Sequence, residues 1–458
     1  SLSGCGGETF VCVFVCVSLL ARMELLRSVV RPTELLAMVR VRFFYKAREF
    51  PNASENVQYC YTALKKVSRS FAAVILELPD ELRNAVCIFY LVLRALDTVE
   101  DDTSVHAQER IDLLRIFANR LDVKEPMPPY GDKEEYKDLM RNFDKVVDVY
   151  LGLRPRYREI IKEITNGMGN GMADFIEREV DTKKDWDKYC YYVAGLVGVG
   201  LSKMWAASGI EDPAFEHLED MSIQMGLFLQ KVNIIRDYLE DIIEDRVFWP
   251  SEVWSKYGSC LEDFKNPENI DAAVACLNEL VTDALRHIPS CLEYMSRIKN
   301  VDIFKFCAIP QVMAIATLAE VYNNRKVFSG VVKIRKGVAC KMILYTDNMT
   351  TLRRLFSSFT RSIRSRIPEK DPSAEQTLDM CNQALKMIGP IRGEGLSTTS
   401  IGIIVILAAI SGYLLYRNRE RLFGRLTGRT VGSGPRAILA PRATHPLASG
   451  SLSASSTL

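Results

Sequence analysis

From about Glu55 to Leu385 the chain keeps apolar residues at spacings of three and four, segment after segment, a pattern that suits helices and little else. It runs through "NVQYCYTALKKVSRSFAAVILEL", "ELRNAVCIFYLVLRALDTV", "YREIIKEITNGMGNGMADFIE" and "DAAVACLNELVTDALRHI", with short breaks such as "KEPMPPYGD" and "KNPEN" between segments. The sequence has no alternating strand pattern with hairpin turns, no repeat of short period and no linker long enough to divide the region. The pattern predicts one large all-α domain over 23–390 with buried central helices.

Both ends depart from it. Residues 1–22 begin with serine and contain "FVCVFVCVSLLA" without the basic residues that precede a signal-peptide core, so they read as a non-native or disordered extension, with Met23 as the start. After a linker at 391–398, the uncharged run "STTSIGIIVILAAISGYLLY" is long enough to cross a hydrocarbon core of about 30 Å. It predicts a transmembrane anchor over 399–416. Residues 417–458 are basic at first and then rich in Gly, Ser, Pro and Ala, a composition expected to stay disordered.

Charge excludes some partners. With 59 basic and 57 acidic residues the chain has no overall field to attract nucleic acid. The twelve cysteines form no CxxC pair and the four histidines lie far apart, so the thiols read as reduced and a metal, if used, needs oxygen ligands.

Oxygen ligands are present in two places. "LRALDTVEDD" sets Asp97, Glu100 and Asp101 at i, i+3 and i+4, and "NIIRDYLEDI" repeats the spacing with Asp237, Glu240 and Asp241. On a helix each trio converges on one face. With 57 acids in 458 residues such a trio arises by chance roughly once in a chain of this length, and a solvated acidic face would explain it. The flanking sequence argues otherwise: "AVCIFYLVLRAL" and "MGLFLQKVNII" are apolar nearly all round, as buried helices are. Buried carboxylates need cations, and Mg2+ is held by one or two carboxylates with substrate phosphates completing its shell. Arg69, Arg94 and Arg236 stand close enough in sequence to fork onto a diphosphate or to neutralise the acids. Phe71, Tyr90, Tyr192 and Phe306 would wall a cavity in which aromatic faces stabilise a carbocation and exclude water; each alone is also ordinary core.

In order and context, "SRSFAAVI", "FYLVLRALDTVEDD", "DKYCYYVAGLVGVGLS", "MGLFLQKVNIIRDYLED", "FWPSEVWSKY", "FCAIPQVMAIATLA" and "VKIRKG" closely resemble the blocks of the squalene synthases, in the squalene/phytoene synthase family. The resemblance runs from about Met23 through the anchor and is dense from Ser68 to Gly337. It implies an isoprenoid-synthase fold with a central cavity. The implied reaction condenses two farnesyl diphosphates head to head into presqualene diphosphate, then rearranges and reduces that intermediate with NADPH to squalene, using Mg2+. By the same resemblance Asp97, Glu100, Asp101, Asp237, Glu240 and Asp241 bind Mg2+, and Tyr192 is the catalytic tyrosine of the first half-reaction. Phe71, Phe306 and Cys307 line the dry part of the cavity, while Arg69, Arg94, Asn233, Arg236, Lys333 and Arg335 contact NADPH and diphosphate. A monomer anchored in the endoplasmic reticulum membrane, its catalytic domain facing the cytosol, completes the expectation. Two alternatives stand beside it. A phytoene-synthase-like prenyl transferase lacks reason for "FCAIPQ", "VKIRKG" and the anchor, and an inactive scaffold relative would show eroded acid clusters.

Overall fold

The computed structural model describes residues 31–44 and 48–390, which belong to one compact unit. The extension at 1–22, the linker at 391–398, the anchor at 399–416 and the tail at 417–458 lie outside the described residues.

Every regular element among the described residues is helical. The helices are α1 (Pro32–Phe44), α2 (Glu55–Val67), α3 (Arg69–Ile75), α4 (Asp80–Asp101), α5 (Ala107–Ile116), α6 (Glu134–Arg141), α7 (Phe143–Leu151), α8 (Pro155–Ile176), α9 (Lys183–Cys190) and α10 (Leu196–Ser208). A π-helical turn, Tyr191–Gly195, joins α9 to α10. Beyond them come α11 (Glu219–Arg236), α12 (Tyr238–Ile243), α13 (Ser251–Trp254), α14 (Ile270–Leu285), α15 (Ile288–Ser296), α16 (Val301–Val321), α17 (Lys336–Tyr345), α18 (Met349–Arg364) and α19 (Ala374–Ile388).

One segment that reads as a single helix is two. Ser68 adopts φ −157° and ψ 96°, donates its N–H to the Leu64 carbonyl at 2.9 Å, and accepts the Phe71 N–H on its hydroxyl at 3.4 Å. It thus closes α2 and caps α3, the role a short hydroxyl side chain fills best. The break redirects the chain and sends Phe71 inward.

Helix α11 is the hub. It packs against α10, α14, α15, α16 and the π-turn, which explains why its sequence is apolar nearly all round. Its approach to the π-turn needs glycine: a Cβ at Gly226 would lie 2.2 Å from the Ala194 carbonyl oxygen. Helix α16 is the one described helix long and apolar enough to cross a membrane, but 72% of its most apolar stretch is buried within the protein, as a core helix requires.

Candidate active site

Helices α4, α10, α11 and α16 and the π-turn enclose an apolar cavity of about 270 Å3, walled by Phe71, Phe89, Tyr90, Trp205, Phe306 and Cys307 among others. A second, polar cavity of about 300 Å3 is lined by Asp97, Glu100, Asp101, Asp237, Asp241 and Arg246. Arg94, Asp97, Val193, Gln230 and Asn233 line both. The polar cavity is therefore a vestibule, and these five residues are the neck that leads from it into the apolar chamber. A third cavity, about 190 Å3, shares Phe71, Leu229, Asn233 and Pro310 with the chamber and is bounded on its far side by Arg236 and by Ile343 of α17.

The first acid cluster ends α4, whose apolar face carries it inward. The second straddles a junction: Asp237 caps α11, while Glu240 and Asp241 belong to α12, and an Asp241 N–H to Asp237 carbonyl bond of 2.9 Å keeps them on one helical path. Glu240 is exposed and lines none of the three cavities.

Arg246, which sequence reasoning passed over, joins the clusters. Its guanidinium lies 2.8 Å from Asp101, 3.1 Å from Asp241 and 2.7 Å from Glu244. The C-terminus of α12 positions it. Asp245 takes a left-handed φ of 55°, and the Arg246 N–H bonds back to the Asp241 carbonyl at 2.9 Å, the six-to-one closure of a Schellman ending. The chain reverses, and Arg246 returns over the acids.

Three arginines do not neutralise this much acid. Arg94 lies 3.4 Å from Asp97, and Arg236 is bonded bidentately to Asp237 at 2.7 and 2.5 Å. Burial still raises the Asp97 carboxyl to about 6, with Asp101 adding and Arg94 opposing. Burial raises Asp241 to about 7 against the pull of Arg246. Glu100 rises well above the carboxylate range for the same reason, helped by Asp101 and Asp97. An oxygen-only donor set with surplus negative charge fits a hard divalent cation.

Other expected residues are placed as follows. Phe71, Phe306 and Cys307 wall the chamber; Arg94 and Asn233 stand at the neck, and Arg236 lines the third cavity. Tyr192 lines neither chamber nor vestibule. Its ring packs over Gly171, where a Cβ would lie 2.1 Å from Cγ, and edge-on to Phe175 at 6.3 Å, while Tyr189 and Val193 take the wall positions. Lys333 is exposed, and Arg335 is paired with Glu34 at 3.0 Å and Glu320 at 3.8 Å. Arg69 opens α3, its side chain outside what is described.

A different group away from the vestibule resembles a metal site by distance: ligand atoms of Asp187, Asp283 and His287 lie within 4.8 Å of one another. It carries its own cation. The fully buried Lys231 ammonium bonds Asp187 at 2.5 Å and also Asp283, and sits 4.5 Å from the Trp186 ring.

An apolar chamber ringed by helices, with carboxylates and arginines at its mouth, defines an isoprenoid synthase. The Squalene/phytoene synthase family model matches residues 64–337. A squalene synthase of Rattus norvegicus is 45% identical over 399 residues, 85% of this chain and 95% of that protein, and squalene synthase BSS of Botryococcus braunii is 48% identical over 362 residues, 77% and 78%. A solved structure, TcSQS with the ligand BPH1237, superposes with a TM-score of 0.72 at 41% identity, over 74% of this chain and 100% of the other. The chain belongs to the squalene/phytoene synthase family.

Proposed function

We propose that this enzyme is a squalene synthase: it joins two farnesyl diphosphates into presqualene diphosphate and then, with NADPH, reduces that intermediate to squalene. The observation that carries the reading is the neck at Arg94, Asp97 and Asn233, which connects an acidic vestibule to an apolar chamber. A prenyl diphosphate has those two halves in that order.

In this reading Asp97, Glu100, Asp101, Asp237 and Asp241 hold Mg2+, with the exposed Glu240 at the margin. Bound there, Mg2+ supplies neutralising charge for the departing diphosphate. Arg94, Arg236 and Arg246 each have a guanidinium able to exchange a carboxylate for diphosphate oxygens. The chamber walls exclude water that would quench the allylic cation, and the faces of Phe71, Tyr90 and Phe306 stabilise its charge. Tyr192, on the same π-turn as Val193, is the proposed acid and base of the first half-reaction. Asn233 and Arg236, lining the cavity that runs from α17 to Phe71, support a reductant reaching the chamber from the side of Lys333 and Arg335; Arg335 would then have to release Glu34. Anchoring through 399–416, residence at the endoplasmic reticulum membrane facing the cytosol, and a monomeric state rest on the sequence pattern and its resemblance.

The test is an incubation of the full chain in detergent with farnesyl diphosphate and Mg2+, with and without NADPH, read by mass spectrometry. Squalene only with NADPH, and presqualene diphosphate without it, is the expected result. A folded protein that makes no thirty-carbon product in either case overturns the reading.

A further inference from the structure

We infer that Gln311 is a further catalytic residue of the reductive half-reaction, its amide oxygen a fixed acceptor dipole toward the cation that forms when presqualene diphosphate ionises. The inference rests on the squalene synthase reading above.

Gln311 lies on α16, is 1% exposed, and lines the apolar chamber alongside Phe306, Cys307 and Pro310. Its Nε2 donates to the Met225 carbonyl of α11 at 2.9 Å. A carbonyl cannot donate, so this bond fixes which end of the amide is nitrogen. The other end, Oε1, has no donor among the described residues.

A buried acceptor left unpaired costs about 1–3 kcal/mol, and a leucine or methionine here would avoid that cost. The hydroxyls at this end are satisfied: the Tyr294 hydroxyl pairs with Ser202 at 2.6 Å and Ser222 donates to the Glu219 carbonyl at 2.8 Å. The indole N–H of Trp205 faces Tyr294 and Cys307 and does not pair with Oε1. The preceding residue, Pro310, has no N–H to offer the Phe306 carbonyl one turn back, so the same wall holds a second acceptor deprived of its usual α-helical donor. An acceptor without a donor in an apolar chamber suits positive charge.

The step balances with the reductant already assigned. The bond from carbon to diphosphate oxygen breaks with its electron pair leaving on diphosphate, and hydride carries two electrons from NADPH to the rearranged cation, giving squalene and NADP+. The Gln311 oxygen makes no covalent bond. It lines the chamber beside Phe306 and Cys307 but not the vestibule, away from the neck where the first diphosphate departs, so the first condensation should be largely indifferent to its removal.

The test uses the full chain in detergent and scores the two half-reactions separately: farnesyl diphosphate to presqualene diphosphate without NADPH, and supplied presqualene diphosphate with NADPH to squalene. Gln311→Leu should keep the first rate within about twofold and lower the second about 100-fold, the usual effect of deleting one preorganised dipole. Gln311→Glu, which keeps an acceptor oxygen, should recover at least part of the second rate. If the leucine variant fails to melt cooperatively, Gln311→Met, equally long and without the dipole, replaces it. Equal loss of both rates, or a normal second rate, overturns the assignment of Gln311 alone. A wild-type protein that makes no thirty-carbon product removes the underlying reading as well.

Discussion

Arg246 reaches Asp101 at 2.8 Å across 145 residues of chain, and with its other nitrogen holds Asp241 at 3.1 Å. One guanidinium thus ties the two acidic clusters together.

Removing that charge should separate metal binding from catalysis. In Arg246→Met the carboxylates lose a competing cation, so Mg2+ in the absence of substrate should bind about tenfold more tightly, since one lost unit of partly screened charge is worth about 1.4 kcal/mol. Turnover should move the other way, kcat/KM falling about 10- to 100-fold as diphosphate loses a fork. Calorimetric titration and steady-state kinetics check the pair. Weaker Mg2+ binding in the variant would mean that Arg246 organises the cluster instead of competing with metal.

Gly171 offers a way to test Tyr192 without touching it. A methyl group there would fall 2.1 to 2.6 Å from the Tyr192 ring and its Cβ, so Gly171→Ala must push the ring aside. Overpacking of this kind costs roughly 1–3 kcal/mol. If the tyrosine hydroxyl drives the first ionisation, Gly171→Ala and Tyr192→Phe should both abolish presqualene diphosphate formation, while Tyr192→Phe leaves the melting temperature near wild type. A Tyr192→Phe variant that forms presqualene diphosphate at the normal rate would remove the tyrosine from the mechanism.

Local features were the legible ones. The acid trios lie within one or two turns of chain, and the apolar runs before them mark buried helices, so Asp97, Glu100, Asp101, Asp237 and Asp241 could be found from spacing and context. Glu240 shares that spacing yet is exposed and lines none of the cavities. Arg246 was hidden for a different reason. Its place depends on a left-handed residue at Asp245, and no hydrophobic period reports a helix ending of that kind. The break at Ser68 was masked because the apolar pattern runs through it and only the cap geometry reveals it. Tyr189 lines the vestibule and Tyr192, on the π-turn, does not, and no hydrophobic period reports a π-turn.

Lys231 should prove structural, for all its proximity to the site. Its ammonium lies between Asp187 and Asp283 on the side of α11 away from the cavities. Lys231→Met would leave two carboxylates without their shared cation, and breaking a buried pair this way costs about 3–5 kcal/mol, nearer the lower figure because Asp187 is 31% exposed. Lys231→Arg should recover most of it. Denaturant melts decide: a loss below about 1 kcal/mol would show that Arg286, 2.5 Å from Asp187, suffices alone.

The vestibule carboxyls make stability depend on pH in a direction opposite to that of ordinary salt-bridged acids. Asp97 titrates near 6 and Asp241 near 7 in the folded chain, against about 4 for an unfolded aspartate. Between those values the folded protein holds more protons than the unfolded one, so stability contributed by these groups is present at low pH and lost as pH rises from about 4 through 7. Without metal, the protein should melt lower at pH 8 than these groups alone would allow at pH 5.5. His287, buried and held neutral far below its ordinary value, works in the opposite sense and must be separated out. Asp241→Asn does this, since it changes one group only. The variant's stability should fall less steeply with pH than wild type, by up to about 1.4 kcal/mol per pH unit across that window. Mg2+ should raise the wild-type melting temperature at pH 8, where the carboxylates are ionised, and do much less at pH 5.5, where protons already occupy them. Parallel slopes in the two proteins would mean that Asp241 is ionised throughout and that Arg246 alone settles its charge.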